Sequence, residues 1–367
     1  MMELFSSYSS FSVLLVFFWY VLLVLPRANS LQRVDHRCKM DYWGIFLISL
    51  ICLFPFQSKD YYHYMEALSS IRMGYGTNLE DFYIQVADFV DYNYFVFRFI
   101  VWGGAILLFY LAIVVLNLPP RTTLTFLLCV FILRFSYARV SLAMACGIFG
   151  YAMLITSRLK DILIIILSLV VIYISTIFHK SAIFWFPVVI ASLFDLNRIR
   201  LLILLLMYPL LVYLLQAYGI IYLLSGEEDS VLTTSAQYYI SSKEKNYGIG
   251  SGLRIVLMRA PYYIFLGMFF LSVIKGRYRL LASVERRILN ISFYIVYIST
   301  LFAFTFTMNT QVLYYRLLFF AMLPITLSLS IFKTYNLYRN GIFAMVLVGV
   351  VSCIYELLYA AYIAQHQ

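Results

Sequence analysis

Long apolar runs interrupted by short polar clusters dominate this chain, and they show neither the two-residue alternation of a half-exposed strand nor the narrow stripe of a soluble amphipathic helix. Twelve apolar segments can be counted, at about 8–25, 42–56, 100–117, 122–137, 140–156, 162–177, 182–194, 201–224, 253–274, 288–306, 317–332 and 341–363. Uninterrupted Leu, Ile, Phe and Val over such lengths predict bilayer-crossing helices, because roughly 20 apolar residues span the hydrocarbon core. The expected fold class is all-α: a polytopic integral membrane protein of about 12 transmembrane helices. A single transmembrane domain over residues 1–367 would carry two larger loops on one face, 57–99 and 225–252. The segments at 42–56 and 182–194 are short, so their ends are loosely defined.

Composition sharpens this picture. Hydrophobic residues make up 63% of the chain and charged residues 12%, against about 45–50% and 25% in soluble domains. That much apolar surface needs lipid as well as protein around it. Segment 8–25 lacks a basic stretch before it and a small-x-small cleavage site after it, so it is expected to be a retained span rather than a signal peptide. Of the cysteines, Cys52, Cys129, Cys146 and Cys353 fall in apolar segments and Cys38 does not. None are in C-x-x-C spacing, so neither a disulfide framework nor a metal site is expected.

Charge gives the expected orientation. Alternating the twelve segments splits the intervening loops into two sets, one with 16 basic and five acidic residues and the other with 11 of each. The first set includes Arg27, Arg33, Arg121, Arg158, Lys160, Arg198, Arg200, Lys275, Arg286, Lys333 and Arg339. By the positive-inside rule it is cytoplasmic, and both termini are then outside. The net charge of +10 is accordingly a topology signal. A nucleic-acid partner is not expected, for want of a clustered basic face with stacking aromatics on a water-exposed module.

The polar sequence of the expected outer face is concentrated in the two larger loops. The first contains Asp60-Tyr61-Tyr62-His63-Tyr64 and the acids Glu80, Asp81, Asp88 and Asp91, and is aromatic enough to hold interfacial helix. The second carries Glu227-Glu228-Asp229 and the Gly-rich end Gly248-Ile249-Gly250-Ser251-Gly252, which reads as a mobile lid. At or just below that boundary stand Arg134, Arg139, Arg254, Arg259 and Arg316. A single such arginine commonly snorkels to the interface, and Arg254 and Arg316 have the alternative of pairing with the acids of the second loop. Intramembrane ionisable groups otherwise face a bundle interior or a water-filled cavity. Guanidinium forks bind phosphate bidentately and stay charged, so a pyrophosphate-headed lipid is the natural ligand for such a group.

The stretch from Arg139 to His179 is the most telling. Segments 140–156 and 162–177 flank the polar turn Ser157-Arg158-Leu159-Lys160-Asp161, so a helical hairpin returns His179 to the face that Arg139 left. A lone histidine in an apolar protein is usually a structural polar group; here Arg139 opposite and Lys180-Ser181 beside it point to chemistry on an anion. No G-x-x-x-x-G-K-[ST], G-x-G-x-x-G, H-E-x-x-H or G-x-S-x-G pattern occurs. Asp88 and Asp91 are too few for an oxygen-rich cation cage. No cofactor is expected.

At these residues the chain resembles the EpsG branch of the bacterial Wzy-type polysaccharide polymerases. The matching landmarks are Asp60-Tyr61 with Tyr64, Arg139 with Leu142-Ala143, Phe178-His179-Lys180-Ser181-Ala182, and Tyr315-Arg316, in family order over about 60–332. The family commonly has Gln after the arginine, where this chain has Val140, and Gly-Thr-Asp where it has Ser58-Lys59-Asp60. The resemblance implies polymerisation of undecaprenyl-pyrophosphate-linked oligosaccharide at the outer face of the bacterial cytoplasmic membrane. His179, Arg139 and Asp60 would then be catalytic, with His179 the first choice of base and Asp60 the second. Arg134, Lys180, Ser181, Arg254, Arg259, Arg316, Tyr61 and Tyr64 would bind substrate. Membrane lipid and a chain-length regulator protein are the further partners it implies. A flippase for the same lipid-linked glycan is the competing expectation, since twelve spans suit a transporter, although the charges gather at one face and no internal repeat is visible. A glycan ligase would share the chemistry and differ only in acceptor.

Overall fold

A computed structural model describes residues 59–75, 79–131, 138–158, 161–214, 249–305 and 311–366. Every regular element among them is helical: α1 (Lys59–Arg72), α2 (Asp81–Phe89), α3 (Tyr94–Val115), α4 (Pro120–Phe126), α5 (Ala138–Thr156), α6 (Ile162–Phe178), α7 (Trp185–Ser192), α8 (Arg198–Leu214), α9 (Ile249–Ile274), α10 (Ser283–Thr305), α11 (Gln311–Thr334) and α12 (Arg339–His366). A π-helical turn, Leu127–Phe131, prolongs α4, and a 3-10 turn, Lys180–Phe184, precedes α7.

Among the described residues three stretches are long and apolar enough to cross a membrane: Val96–Val115, Val256–Ile274 and Leu317–Thr334. Five further apolar helices are shorter. Segments 8–25 and 42–56 lie outside the described residues, as does most of loop 225–252. That loop ends earlier than expected, because Ile249 already opens α9 and its Gly250-Ser251-Gly252 belongs to the first turn. Loop 57–99 holds α1 and α2.

The burial pattern is that of a protein in lipid. On α6 the buried positions are Ser168, Ile172 and Ser175, whereas Leu163, Ile166, Leu167, Val170, Tyr173 and Ile177 are exposed. A soluble helix does the reverse, turning its large aliphatics inward. The buried hydroxyls are satisfied along their own helices; Ser168 Oγ donates to the Ile164 carbonyl at 2.6 Å and Thr326 Oγ1 to that of Met322 at 2.8 Å. This is how polar side chains are carried where no water competes. These features mark the chain as membrane-associated.

The chain divides into two compact units, Met1–Phe186 with Met322–Gln367, and Pro187–Ala321. In the first, α5 packs along α6 with almost no space between backbones. A Cβ placed on Gly150 would lie 2.9 Å from the Ser168 carbonyl oxygen and 2.9 Å from Ile172 Cγ1. One turn earlier, the indole of Trp185 lies on Gly147. Across the same unit Thr123 Oγ1 lies 2.9 Å from Ser330 Oγ, joining α4 to α11. Helix α3 ends at Asn117, φ +53°, where Leu118 N–H bonds the Ile113 carbonyl and Asn117 N–H that of Val114. Asn336 closes α11 in the same way. Both use asparagine's tolerance of the left-handed region to satisfy the last carbonyls.

The second unit is tied at the α7–α8 connection. Burial pushes the Tyr278 hydroxyl up to about 12, so it stays a donor and gives its hydrogen to Asn290 Oδ1 at 2.7 Å. Asn290 Nδ2 in turn donates to the carbonyls of Ser192 at 3.2 Å and Phe194 at 3.0 Å. Asn290-Ile291-Ser292, formally a glycosylation sequon, is thus fully committed to the interior, with Asn290 0% exposed. Asn290→Ala strands two carbonyls and a phenol and should cost about 3 kcal/mol. Thermal unfolding in detergent measures it; an unchanged midpoint would deny the tie any role.

Candidate functional site

The α5–α6 hairpin sets the level of the two residues that the sequence singles out. Cys146 Sγ donates to the Val171 carbonyl at 3.2 Å, and Gly150 faces Ser168 and Ile172, so the helices run antiparallel. Arg139 precedes that bond on α5, and Phe178 follows it on α6, by seven residues each, about 10 Å of helix rise. The backbone of Arg139 and the end of α6 therefore come to one level.

At that level α6 stops. His179 leaves the helical region at φ −161°, ψ 123°, and its side chain caps the following 3-10 turn, with Nδ1 accepting the Ser181 N–H at 3.1 Å. The His179 carbonyl accepts from the Ala182 N–H at 2.8 Å. His179 is 7% exposed, Ser181 is half-buried and Lys180 is exposed. The histidine is thus held from both its backbone and its ring.

Helix α2 closes over this end. Phe82 meets Phe178 edge to face at 4.7 Å, while its neighbour Tyr83 lies 6.2 Å from Phe97 at the start of α3. Tyr64 of α1 reaches the same Phe97 at 6.1 Å. The starts of α3 and α5 and the end of α6 are therefore gathered beneath α1 and α2. Tyr64 is buried, so the ring face turned to Phe97 is closed to a sugar. Asp60 lies one helical turn before Tyr64, and Tyr61 beside it; for Asp60, Tyr61 and Arg139 the structure describes the backbone alone.

Sequence reasoning passed over Arg98, which sits in this cluster at 3% exposure. Its guanidinium lies over the Trp102 ring, Cζ 4.2 Å from the centroid, and Nη1 donates to Tyr94 Oη at 3.2 Å. The signal was present as Tyr94-x-x-x-Arg98-x-x-x-Trp102, one residue per turn on one helix face.

Arg134 lies outside the described residues. Arg254, Arg259 and Arg316 belong to the second unit, with Arg259 half-buried on α9 two residues before Pro261. Among the described residues no three His, Cys, Asp or Glu side chains stand together as metal ligands. What the first unit brings to one end is a capped imidazole, a buried guanidinium and the first turn of α5 with Arg139, under an aromatic roof. Such a group can hold an anionic head at the edge of an apolar bundle. Comparison with protein-family models, with curated proteins and with solved structures found no match to this chain.

Proposed function

We infer that this protein is a polysaccharide repeat-unit polymerase of the Wzy type, a multi-pass protein of the bacterial cytoplasmic membrane with about twelve spans and both termini outside. It transfers a growing glycan from undecaprenyl pyrophosphate to the non-reducing end of another lipid-linked repeat unit on the outer face. The observation that carries this reading is the α5–α6 hairpin, whose antiparallel packing brings Arg139 and His179 to one end of an apolar bundle. Support for the topology comes from the loop charges, 16 basic against five acidic on one side and 11 of each on the other, and from the three membrane-length helices.

The chemistry suits these residues. The donor is already activated by its pyrophosphate, so no nucleotide site is needed. Negative charge grows on the departing pyrophosphate, and fixed cations at a dry membrane edge stabilise that growth. Arg139 and Arg98 supply such cations in the first unit, with Arg134 of the same unit a further contributor. Asp60 is the carboxylate available to the acceptor hydroxyl.

Gel analysis of surface polysaccharide from a deletion strain, with leaflet-resolved detection of the lipid-linked unit, tests the reading. Loss of long chains with single units retained on the outer leaflet is the expected result. Accumulation on the inner leaflet would instead make the protein a flippase, and unchanged polymer would exclude both.

A further inference from the structure

We propose that the end of the second unit formed by the α7–α8 connection, the 3-10 turn Arg277–Leu280 and the start of α10 binds an anionic phospholipid through its phosphodiester headgroup. The proposal goes beyond the polymerase reading and stands without it. It starts from two short basic segments, Arg198-Ile199-Arg200 opening α8 and Lys275-Gly276-Arg277-Tyr278-Arg279-Leu280 following α9. With Arg286 and Arg287 at the start of α10 they bring seven cations to this end, against two acids, Asp195 and Glu285.

Hydrogen bonds hold the two segments together although they are far apart in sequence. Tyr278 stands between Arg277 and Arg279, and its Oη accepts the Leu196 N–H at 3.4 Å, two residues before Arg198. Arg286 pairs with the Asp195 carboxylate at 2.9 Å, and Arg200 Nη1 donates to the Asp195 carbonyl at 2.6 Å. Both acids are thus engaged within the surface, Glu285 by accepting the Ala282 N–H at 2.8 Å. Arg198, Lys275, Arg277 and Arg279 are exposed. Helices α8 and α10 also begin at this level, which adds the positive ends of two helix dipoles. A charge bias that only orients a chain in the membrane needs no fixed arrangement; here Tyr278, Asn290 and the Arg286–Asp195 pair impose one.

The apolar neighbours of these cations select a lipid over a soluble anion or an acidic protein. Ile199 is 69% exposed between Arg198 and Arg200, and Leu280 is 77% exposed next to Arg279. Ile274, which precedes Lys275, and Phe194, which precedes Asp195, are exposed as well. A soluble polyanion covers none of these side chains. A phospholipid covers both kinds, with its phosphodiester on the guanidinium and ammonium groups and its acyl chains on the aliphatics. Each basic side chain close to an anionic membrane surface is worth about five-fold in affinity.

The test uses the purified full-length protein, delipidated in dodecyl maltoside, with phosphatidylglycerol or phosphatidylcholine added to the micelles and bound lipid counted by native mass spectrometry. Phosphatidylglycerol should be retained and phosphatidylcholine not, and retention should weaken as salt is raised. The triple variant Arg198→Gln, Lys275→Gln, Arg279→Gln should weaken phosphatidylglycerol binding about 100-fold. Where it accumulates poorly, Arg279→Gln alone should weaken binding about five-fold. Taking the same charge from the first unit, by Arg121→Gln, Arg158→Gln and Arg339→Gln, should change it by less than about five-fold. Equal loss in the two triple variants would reduce the effect to overall charge, and equal retention of the two lipids would end the proposal. Two competitors name the other ligands. Displacement of the lipid by glycerophosphoglycerol, the headgroup without chains, would make the site one for a soluble phosphodiester. Displacement by polyglutamate would make it one for an acidic protein. Either result overturns the lipid assignment, and neither competitor is expected to displace it.

Discussion

Arg139→Ala should leave cells with single lipid-linked repeat units on the outer leaflet and no long-chain polysaccharide. Arg139 stands in the first turn of α5, level with the capped end of α6 where His179 sits. On the polymerase reading, a guanidinium there would meet the pyrophosphate with two parallel hydrogen bonds and a permanent charge. Removing one preorganised stabiliser of developing charge costs about 100- to 1,000-fold in turnover, which for a chain built by repeated transfer ends visible polymer. Lysine keeps the charge and loses the fork, so Arg139→Lys should recover short chains only. Ladder length on a gel, at matched protein level, measures both. Full-length polymer from Arg139→Ala would remove this residue from the mechanism.

The largest stability effect is expected at Gly349. Helix α12 crosses the π-helical turn so closely that a Cβ on Gly349 would stand 2.4 Å from the Cys129 carbonyl oxygen and 2.6 Å from Val130 Cα. Both neighbours are backbone, so neither can swing aside as a side-chain tip would. The turn is also where the helical ladder is widest and a carbonyl is pushed outward. Gly349→Ala must part the helices and should cost about 2 kcal/mol, in the range of overpacked interiors, while Gly349→Leu should exceed that range and prevent accumulation of folded protein. Protein level in membranes and the unfolding midpoint in detergent are the measurements. A normal level for Gly349→Leu would mean that the crossing is looser than its geometry.

Much of this was legible in the sequence where one physical signal dominated. The hairpin follows from two apolar runs around a polar turn, because span length and a short connection leave antiparallel packing as the simple outcome. The cap at His179 was not visible, since Phe-His-Lys-Ser-Ala reads equally well as continued helix; only the backbone turning extended at one residue reveals it. Arg98 was hidden for a different reason. It was one of 11 basic residues in a loop set with equal acid, and its importance lies in side-chain neighbours on its own helix rather than in net charge. The Gly-rich stretch 248–252 looked like a loop by composition, yet Ile249 begins α9, since glycine weakens a helix end without forbidding it. Burial of Tyr64 against Phe97 depends on contacts between segments far apart in sequence, which periodicity does not report.

The turn between α5 and α6 has a consequence for the order of assembly. Asp161 N–H bonds the Arg158 carbonyl at 2.8 Å, and the segment it closes is only a few residues long. Short closures cost little chain entropy, and contacts that are near in sequence form fast. The hairpin's two helices leave the ribosome one after the other, ahead of the second unit. The hairpin thus acquires its shape early in biogenesis, and substitutions within it should slow insertion and folding, whereas those in α9 or α10 should mainly hasten unfolding.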